Sequence, residues 1–314
     1  MSSKMSSFTG YMLNICVIVL IISETIYCLR KVSLIAKGLK YIPKDRIPMD
    51  TEELFLTRNR LHNITSEDFK GMFALKILGL AFNKMTIFPN LSSVGEILET
   101  LFIANNLIVE VPAAHLDMLK QLQSLNLESN LLVTLPDSSG PSDTLTSLKL
   151  SFNKLRSFPE MNTLLKSVEK LQMAGNFIKE IHTSRFTGMD NLKQFDLSSN
   201  DLQYFPDMEP LKYSLLVLKL FNNSLTLVKS ELVLTLESLQ KLDLGDNLLH
   251  TLSEIGHGIS LSISGNPLVC NMNLAWLVDR DTDATCHLPI TLKGRKLSSL
   301  IPEDLETGIL TFEM

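Results

Sequence analysis

The sequence predicts a solenoid, a stack of similar units that bury their apolar faces against one another. Two observations carry that reading. Asn59, Asn83, Asn106, Asn130, Asn153, Asn176, Asn200, Asn223 and Asn247 recur at intervals of 24, 23, 24, 23, 23, 24, 23 and 24 residues. Each occupies the ninth position of one frame, L-x-x-L-x-L-x-x-N-x-L. A fixed period of roughly 20–50 residues marks a chain built from one unit that is not stable alone. Such a chain offers a long surface rather than a pocket.

The repeats occupy residues 47–268. The first is the weakest, with Thr51 at its opening position. The fourth reads Leu122, Leu125, Leu127, Asn130, Leu132, and the ninth Leu239, Leu242, Leu244, Asn247, Leu249. Ile103, Val168, Met173 and Phe195 are exchanges within the apolar class. A partial tenth, Leu261, Ile263, Asn266 and Leu268, follows the ninth after 19 residues. The L-x-L core alternates as a strand does. A strand this short holds only with neighbours on both sides, which stacking supplies. The Asn falls where the chain turns out of the strand. Its amide offers donors and an acceptor to backbone groups that need partners in a buried bend. Each Asn is expected to face its copy in the next repeat.

The second half of each repeat is also patterned. Phe69-Lys70-Gly71-Met72 and Phe186-Thr187-Gly188-Met189 share one return-segment motif. Five other repeats place Pro89, Pro112, Pro136, Pro159 or Pro206 early in that segment. Pro lacks an N–H and fixes φ, so these segments are predicted to be extended or 3₁₀ rather than long helices.

At the N-terminus, Lys4 precedes an apolar run from Tyr11 to Ile22 and then Ser23-Glu24-Thr25. The run falls short of the ~20 residues of a membrane-spanning helix and fits a signal-peptide core. Residues 1–27 are assigned to a signal peptide, with cleavage between Ser23 and Cys28; a signal anchor is the alternative. The stretch after Leu300 is short and charged, unlike a lipid-anchor signal. The expected product is secreted and extracellular. Asn63, Asn90 and Asn222 each open an N-x-S/T sequon and are candidate N-glycosylation sites. A glycan on Asn222, beside a ladder Asn, would restrict docking near the eighth repeat. Net charge is −5, and no Lys/Arg block occurs. This argues against nucleic acid, heparin and acidic membranes as partners.

Past the last repeat the chain reads Asn266-Pro267-Leu268-Val269-Cys270, then Met272, Leu274, Trp276 and Leu277. Cys286, Pro289, Leu292, Gly294, Leu297 and Pro302-Glu303-Asp304-Leu305 follow. With the nine registered frames, this pattern resembles the leucine-rich repeat family in its typical extracellular subclass. The resemblance implies an α/β solenoid, a horseshoe with a parallel β-sheet on its concave face. It implies an N-terminal cap over residues 28–46 and a C-terminal cap over 269–314. The family's C-terminal cap pairs its first cysteine with its third and its second with its fourth. The first and third are Cys270 and Cys286 here, while Met272 holds the second position and the fourth falls near Thr307. A Cys270–Cys286 disulfide is therefore implied, and Leu274, Trp276 and Leu277 are read as cap core.

The N-terminal cap of the family carries several bridged cysteines. Here only Cys28 remains, with Leu34 where a partner is expected. Cys16 lies in the signal segment, so the mature chain holds an odd cysteine count. Cys28 is a candidate intermolecular thiol, giving a disulfide-linked dimer or a complex with another secreted protein. A buried free thiol, or a cysteine left in a loose N-terminal end, are the alternatives.

Strands about 4.7–4.9 Å apart make nine repeats a surface roughly 40 Å long. The fifth-position column reads Phe55, Gly79, Phe102, Asn126, Lys149, Gln172, Asp196, Lys219, Asp243, and Phe82 precedes Asn83. Phe55, Phe82, Phe102, Lys149, Asp196 and Lys219 are the candidate ligand-binding residues. Apolar surface of this kind marks interaction sites, and aromatic anchors dominate their energetics. The alternative is that these Phe cover the sheet or pack under the cap. No catalytic, nucleotide-binding or metal-ligating arrangement appears among the scattered His62, His115, His182, His250, His257 and His287. The chain reads as a binder with no cofactor and no metal.

Its expected partner is a protein, or else a glycan or microbial product. Three settings fit. The first is soluble recognition in innate immunity. The second is a matrix or adhesion role by resemblance to small leucine-rich proteoglycans, although that group's N-terminal cysteine cluster is absent here. The third is modulation of receptor signalling.

Overall fold

The computed structural model describes residues 30–280 and 282–306. The expected signal segment, Cys16, Cys28 and the residues near Thr307 lie outside them. Eleven three-residue strands form one parallel sheet in strict sequence order. They are β1 (Lys31–Ser33), β2 (Glu53–Phe55), β3 (Ile77–Gly79), β4 (Thr100–Phe102), β5 (Ser124–Asn126) and β6 (Ser147–Lys149). Then come β7 (Lys170–Gln172), β8 (Gln194–Asp196), β9 (Val217–Lys219), β10 (Lys241–Asp243) and β11 (Ser260–Ser262). The register never slips, so Leu54, Leu78, Leu101, Leu125, Leu148, Leu171, Phe195, Leu218, Leu242 and Leu261 lie in one row. Every residue in that row is buried, as a two-residue side-chain period requires. The sheet is longer than the nine repeats imply. The N-terminal cap adds β1 and the partial repeat adds β11, which extends the row to roughly 48 Å.

The return segments divide in a way the proline rule only partly foresees. 3₁₀ turns occupy Ser66–Phe69, Thr183–Phe186 and Glu209–Leu211. Two segments instead form five-residue α-helices, α1 (Ala113–Asp117) and α2 (Ser230–Leu234). α1 follows Pro112 directly. Pro112 is its N-cap with φ −64°, where a missing N–H costs nothing. The extended-or-3₁₀ expectation fails there because Pro precedes the helix and does not interrupt it.

The Asn ladder bonds to backbone, and its members do not bond to one another. Asn153 is representative. Its Oδ1 accepts from the Leu132 N–H of the preceding repeat at 3.0 Å. Its Nδ2 donates to the Leu127 carbonyl of that repeat and to Leu150 of its own, both at 3.0 Å. The geometry recurs from Asn83 through Asn266. At the N-terminal end Asn59 accepts from Lys37 and Leu39 N–H. Each rung thus fastens one repeat to the one before it.

A second recurrence precedes each Asn. The eighth-position residue has positive φ in every repeat: Arg58, Phe82, Asn105, Ser129, Phe152, Ser199, Asn222 and Asp246 between 49° and 59°, with Gly175 and Gly265 also positive. Left-handed backbone costs a non-glycine residue about 1–2 kcal/mol. The turn keeps the ladder going, because this N–H donates to the seventh-position carbonyl of the next repeat, as Phe152 does to Ala174 at 2.7 Å. In the buried core, Phe158, Phe186 and Phe195 pack edge to face with centroids 5.9–6.2 Å apart.

The C-terminal end of the stack is closed. Among the described residues no strand lies beyond β11 to accept from the last repeat. Asp283 takes that place, with Oδ1 accepting from Ile263 and Ser264 N–H and Oδ2 from the Ser262 hydroxyl. Cys270 and Cys286 are joined, with Cα atoms 5.6 Å apart. Leu274 and Leu277 are fully buried. Trp276 is partly buried and donates from Nε1 to the Leu252 carbonyl at 2.9 Å. α3 (Pro302–Glu306) packs on this turn through Leu305.

Candidate functional site

The outward residues of the strands line the concave face in columns fixed by the register. Phe55, Gly79, Phe102, Asn126, Lys149, Gln172, Asp196, Lys219 and Asp243 pair in sequence across β2 to β10. Phe82 stands on the left-handed turn after β3, at the rim. The candidate residues thus fall into two groups, near β2–β4 and near β6–β9.

The aromatic group is not one uniform patch. Phe55 is half-buried, and its ring lies over Gly79, where a Cβ would come within 2.8 Å of Cδ1. The Lys31 ammonium sits 4.6 Å from the same ring. Phe82 is 47% exposed, with the Arg58 guanidinium 5.4 Å from its centroid. Phe102 is 37% exposed. Phe55 therefore covers the sheet, while Phe82 and Phe102 face solvent.

In the second group, Lys219 Nζ lies 3.4 Å from Asp196 Oδ2. Asp196 Oδ1 also accepts from Ser198 N–H at 3.0 Å. Asn126 and Asp243 cap the exit from their strands in the same way. Asp196 is thus held by its own turn and by Lys219. Lys149 is half-buried in the middle of the column.

Sequence reasoning missed two aromatic residues of this face. Phe152 is 56% exposed and lies over Gly175, and Phe221 is 38% exposed and lies over Gly245. Cβ atoms on those glycines would come within 2.4 and 3.0 Å of the rings. With Phe55 and Gly79 they form three copies of one device, a ring leaning onto a glycine in the next repeat. The legible signal was a Phe followed one period later by Gly in the same column, at 24, 23 and 24 residues.

The sequons are spread apart. Asn63 and Asn222 are exposed, and Asn222 Nδ2 donates to Ser199 Oγ at 3.1 Å. Asn90 is half-buried, its Oδ1 accepting from Ser92 N–H. The convex side carries a carboxylate relay that the sequence did not reveal. Asp117 accepts from Ser138 Oγ and Ser139 N–H, and Asp137 from Thr163 and Leu164 N–H. Partial burial raises the Asp137 and Asp283 carboxyl pKa values. Hydrogen bonds from Thr163 and Leu164, and from Ser264, Ile263 and Ser262, outweigh it and hold both below the usual carboxylate range.

Among the described residues no group of three or more His, Cys, Asp or Glu could hold a metal ion. No helix among them is long and apolar enough to cross a membrane.

Comparison with known proteins agrees with this architecture. A family model described as leucine rich repeat matches residues 96–155. Lumican of Oryctolagus cuniculus is 32% identical over 146 residues, which is 38% of this chain and 75% of that protein. Fibromodulin of Homo sapiens is 29% identical over 135 residues, 42% of this chain. The match spans 43% of the length of human lumican and 34% of human fibromodulin. A chain in the solved octameric complex of Latrophilin 3 (Lec, Olf), Unc5D (Ig, Ig2, TSP1) and FLRT2 (LRR) aligns with a TM-score of 0.65. That alignment covers 88% of this chain and 94% of the other at 20% identity, which is a likeness of fold.

Proposed function

This chain belongs to the extracellular leucine-rich repeat family, and from that premise we propose that it is a secreted matrix or adhesion protein that binds a protein partner on its concave face. The relatives favour this setting over immune recognition, because lumican and fibromodulin are proteins of the extracellular matrix. The signal segment at residues 1–27 and the three sequons fit the same compartment.

One observation carries the assignment of the face. Phe82, Phe102, Phe152 and Phe221 keep between 37% and 56% of their surface exposed on a sheet whose other face is buried. Exposed rings on a rigid scaffold are the usual anchors of protein interfaces. Lys149, Asp196 and Lys219 lie between the rings and supply polar selectivity. A glycan on Asn222 would shield the rim near the eighth repeat and steer partners towards the N-terminal rings. Cys28 as an intermolecular bridge remains part of the proposal.

The test uses a cell-laid matrix. Secreted wild-type protein is expected in the matrix fraction, and the Phe102→Asp, Phe152→Asp double variant in the medium. Loss of one anchor of about 2 kcal/mol weakens binding roughly thirtyfold. Wild-type protein found only in the medium would refute the matrix role. A folded double variant retained as well as the wild type would remove the concave rings as the contact.

A further inference from the structure

The repeat period stacks a second set of columns on the flank where the chain leaves each ladder Asn. Position eleven of the frame is buried, as in Ile108, Leu132, Leu155 and Ile178, while positions ten and twelve of the first six repeats are exposed. That alternation is the two-residue period of extended chain. Backbone bonds hold the columns in step. The position-ten N–H donates to the position-eleven carbonyl of the preceding repeat, from Leu107 to Met85, Leu131 to Ile108, Lys154 to Leu132 and Phe177 to Leu155, at 2.8–2.9 Å.

Across the first six repeats these two columns hold five Lys or Arg residues and no Asp or Glu, on a chain whose net charge is −5. The linear sequence scatters these cations, and the period brings them together. Arg60 and Lys84 stand at one end, and Lys154, Arg156 and Lys179 at the other. Between them Leu107, Val109, Leu131 and Val133 form an apolar centre, each 37–63% exposed. Elsewhere surface lysines are paired, as Lys76 is with Glu99, Lys166 with Asp143 and Lys193 with Glu169. Among the described residues none of the five flank cations forms an ion pair; Lys154 instead lies 5.4 Å over the Phe177 ring. Glu110 and Glu180 stand one position beyond the strip, the latter 3.8 Å from His182 Nε2, and Asp201 belongs to the seventh repeat. Asn63 stands beside the first end of the strip, away from its apolar centre.

We propose that this flank is a second docking surface, which receives an extended segment of a partner protein patterned acid-x-apolar-x-apolar-x-acid. Charge and spacing carry the argument. Cations without an ion pair at both ends call for carboxylates. The exposed apolar centre calls for apolar side chains, which a sulfated polysaccharide lacks. The midpoints of the two cation groups are four repeats apart, about 19 Å at about 4.8 Å per repeat. Six residue steps of extended chain span about 20 Å, and residues two apart share a face. The two apolar side chains then fall about 7 and 13 Å along, over the third and fourth repeats, where the apolar centre lies. The surface makes no use of the concave rings and stands apart from the matrix reading.

The experiment uses the full secreted chain and a fluorescent peptide, Gly-Glu-Ser-Leu-Ser-Leu-Ser-Glu-Gly, capped at both ends. One control has both Leu replaced by Ser. A second, Gly-Glu-Ser-Ser-Leu-Ser-Leu-Glu-Gly, moves them to the face opposite the acids. Anisotropy titration is expected to show saturable binding of the first peptide and affinity at least about tenfold lower for each control. A Lys154→Glu, Arg156→Glu variant reverses one cation group, and a Val109→Ser, Val133→Ser variant removes part of the apolar centre. All four residues are exposed, so both variants are expected to fold and to bind at least about tenfold more weakly. Peptide binding is read on purified protein, so its failure is distinct from failure of matrix retention. No saturable binding, equal binding of either control, or full binding by either variant would overturn the proposal. Heparin that binds more tightly than the peptide, undiminished by Val109→Ser, Val133→Ser, would overturn it by assigning the strip to a polyanion. So would wild-type self-association in sedimentation that either variant abolishes, since the occupant would then be a second copy.

Discussion

Replacing Asn153 with Ala removes one rung from the middle of the ladder. The Leu132 N–H loses its only partner, while the Leu127 and Leu150 carbonyls each lose one amide donor and keep another, from Asn130 and Asn176. All three residues are fully buried, so water does not replace the amide. An orphaned buried N–H costs about 1–3 kcal/mol. The carbonyls have a second lone pair and lose less. The expected loss is about 3 kcal/mol, a large share of a typical stability of about 5–15 kcal/mol. In a stack where each unit touches only its neighbours, that loss stays at the junction of the fourth and fifth repeats.

Amide hydrogen exchange followed by mass spectrometry is the suitable assay, since one global unfolding energy is poorly defined for a repeat array. Protection around Leu132 is expected to fall by about a hundredfold, with distant repeats less affected. Asn191→Ala is the control. Asn191 is exposed and makes one bond, to the Lys166 carbonyl at 3.0 Å, so its removal should cost under about 0.5 kcal/mol. If Asn153→Ala cost no more than Asn191→Ala, the ladder would not be what holds the repeats in register.

Three further outcomes follow from the same structure. Changing Cys270 and Cys286 to Ser opens a loop of sequence separation 16 and should lower cap stability by about 3 kcal/mol, read as faster exchange at Leu274 and Leu277. Asp137 and Asp283 have folded pKa values below their unfolded ones; their stabilisation is complete above the unfolded value near about 3.9 and is lost as pH falls through the folded values. An Asp137→Asn, Asp283→Asn variant should therefore show a shallower loss as pH falls below about 4 in acid titrations followed by circular dichroism, and an unchanged slope would refute the assignment. Gly175→Ala puts a Cβ 2.4 Å from the Phe152 ring at φ +67°; it should cost more than the about 1–2 kcal/mol of backbone strain alone, and Phe152→Ala in the same chain should recover the excess in a double-mutant cycle.

The period, the apolar rows and the strand positions could be read from the residues because each is a local rule repeated in register. The ladder located every strand from β2 to β10. What lay beyond local reading was set by contacts across repeats. Lys31 to Ser33 carry no Asn rung of their own, yet they extend the sheet because Asn59 reaches back to Lys37 and Leu39. Phe55 looked like an exposed anchor, but Gly79 in the next repeat lets its ring lie flat. Asp283 lies beyond the last rung, and nothing in its neighbours along the chain announces that it replaces a strand. The helix after Pro112 was hidden because proline as an N-cap and proline inside a helix look alike in a one-dimensional pattern.

The left-handed column before the Asn ladder shows where this scaffold can vary. Glycine would hold that conformation without strain, yet among the described residues Gly175 and Gly265 alone use it among the repeats. Both sit beside a side chain of the preceding repeat, Phe152 or Asp246, that would collide with a Cβ. Glycine is therefore present where space demands it as well as where φ permits it. At the other positions the chain accepts about 1–2 kcal/mol of strain per residue while placing Arg58, Phe82, Phe152 or Asn222 on the rim. The fold needs only the N–H of this residue, which bonds to the next repeat whatever the side chain is. The side chain takes no part in that bond, and its contacts differ from repeat to repeat: Arg58 lies over Phe82, Phe152 covers Gly175, and Asn222 bonds to Ser199. Rim identity can change from one repeat to the next with the ladder intact, and on the proposed function this column, together with the fifth-position strand column, would carry partner specificity.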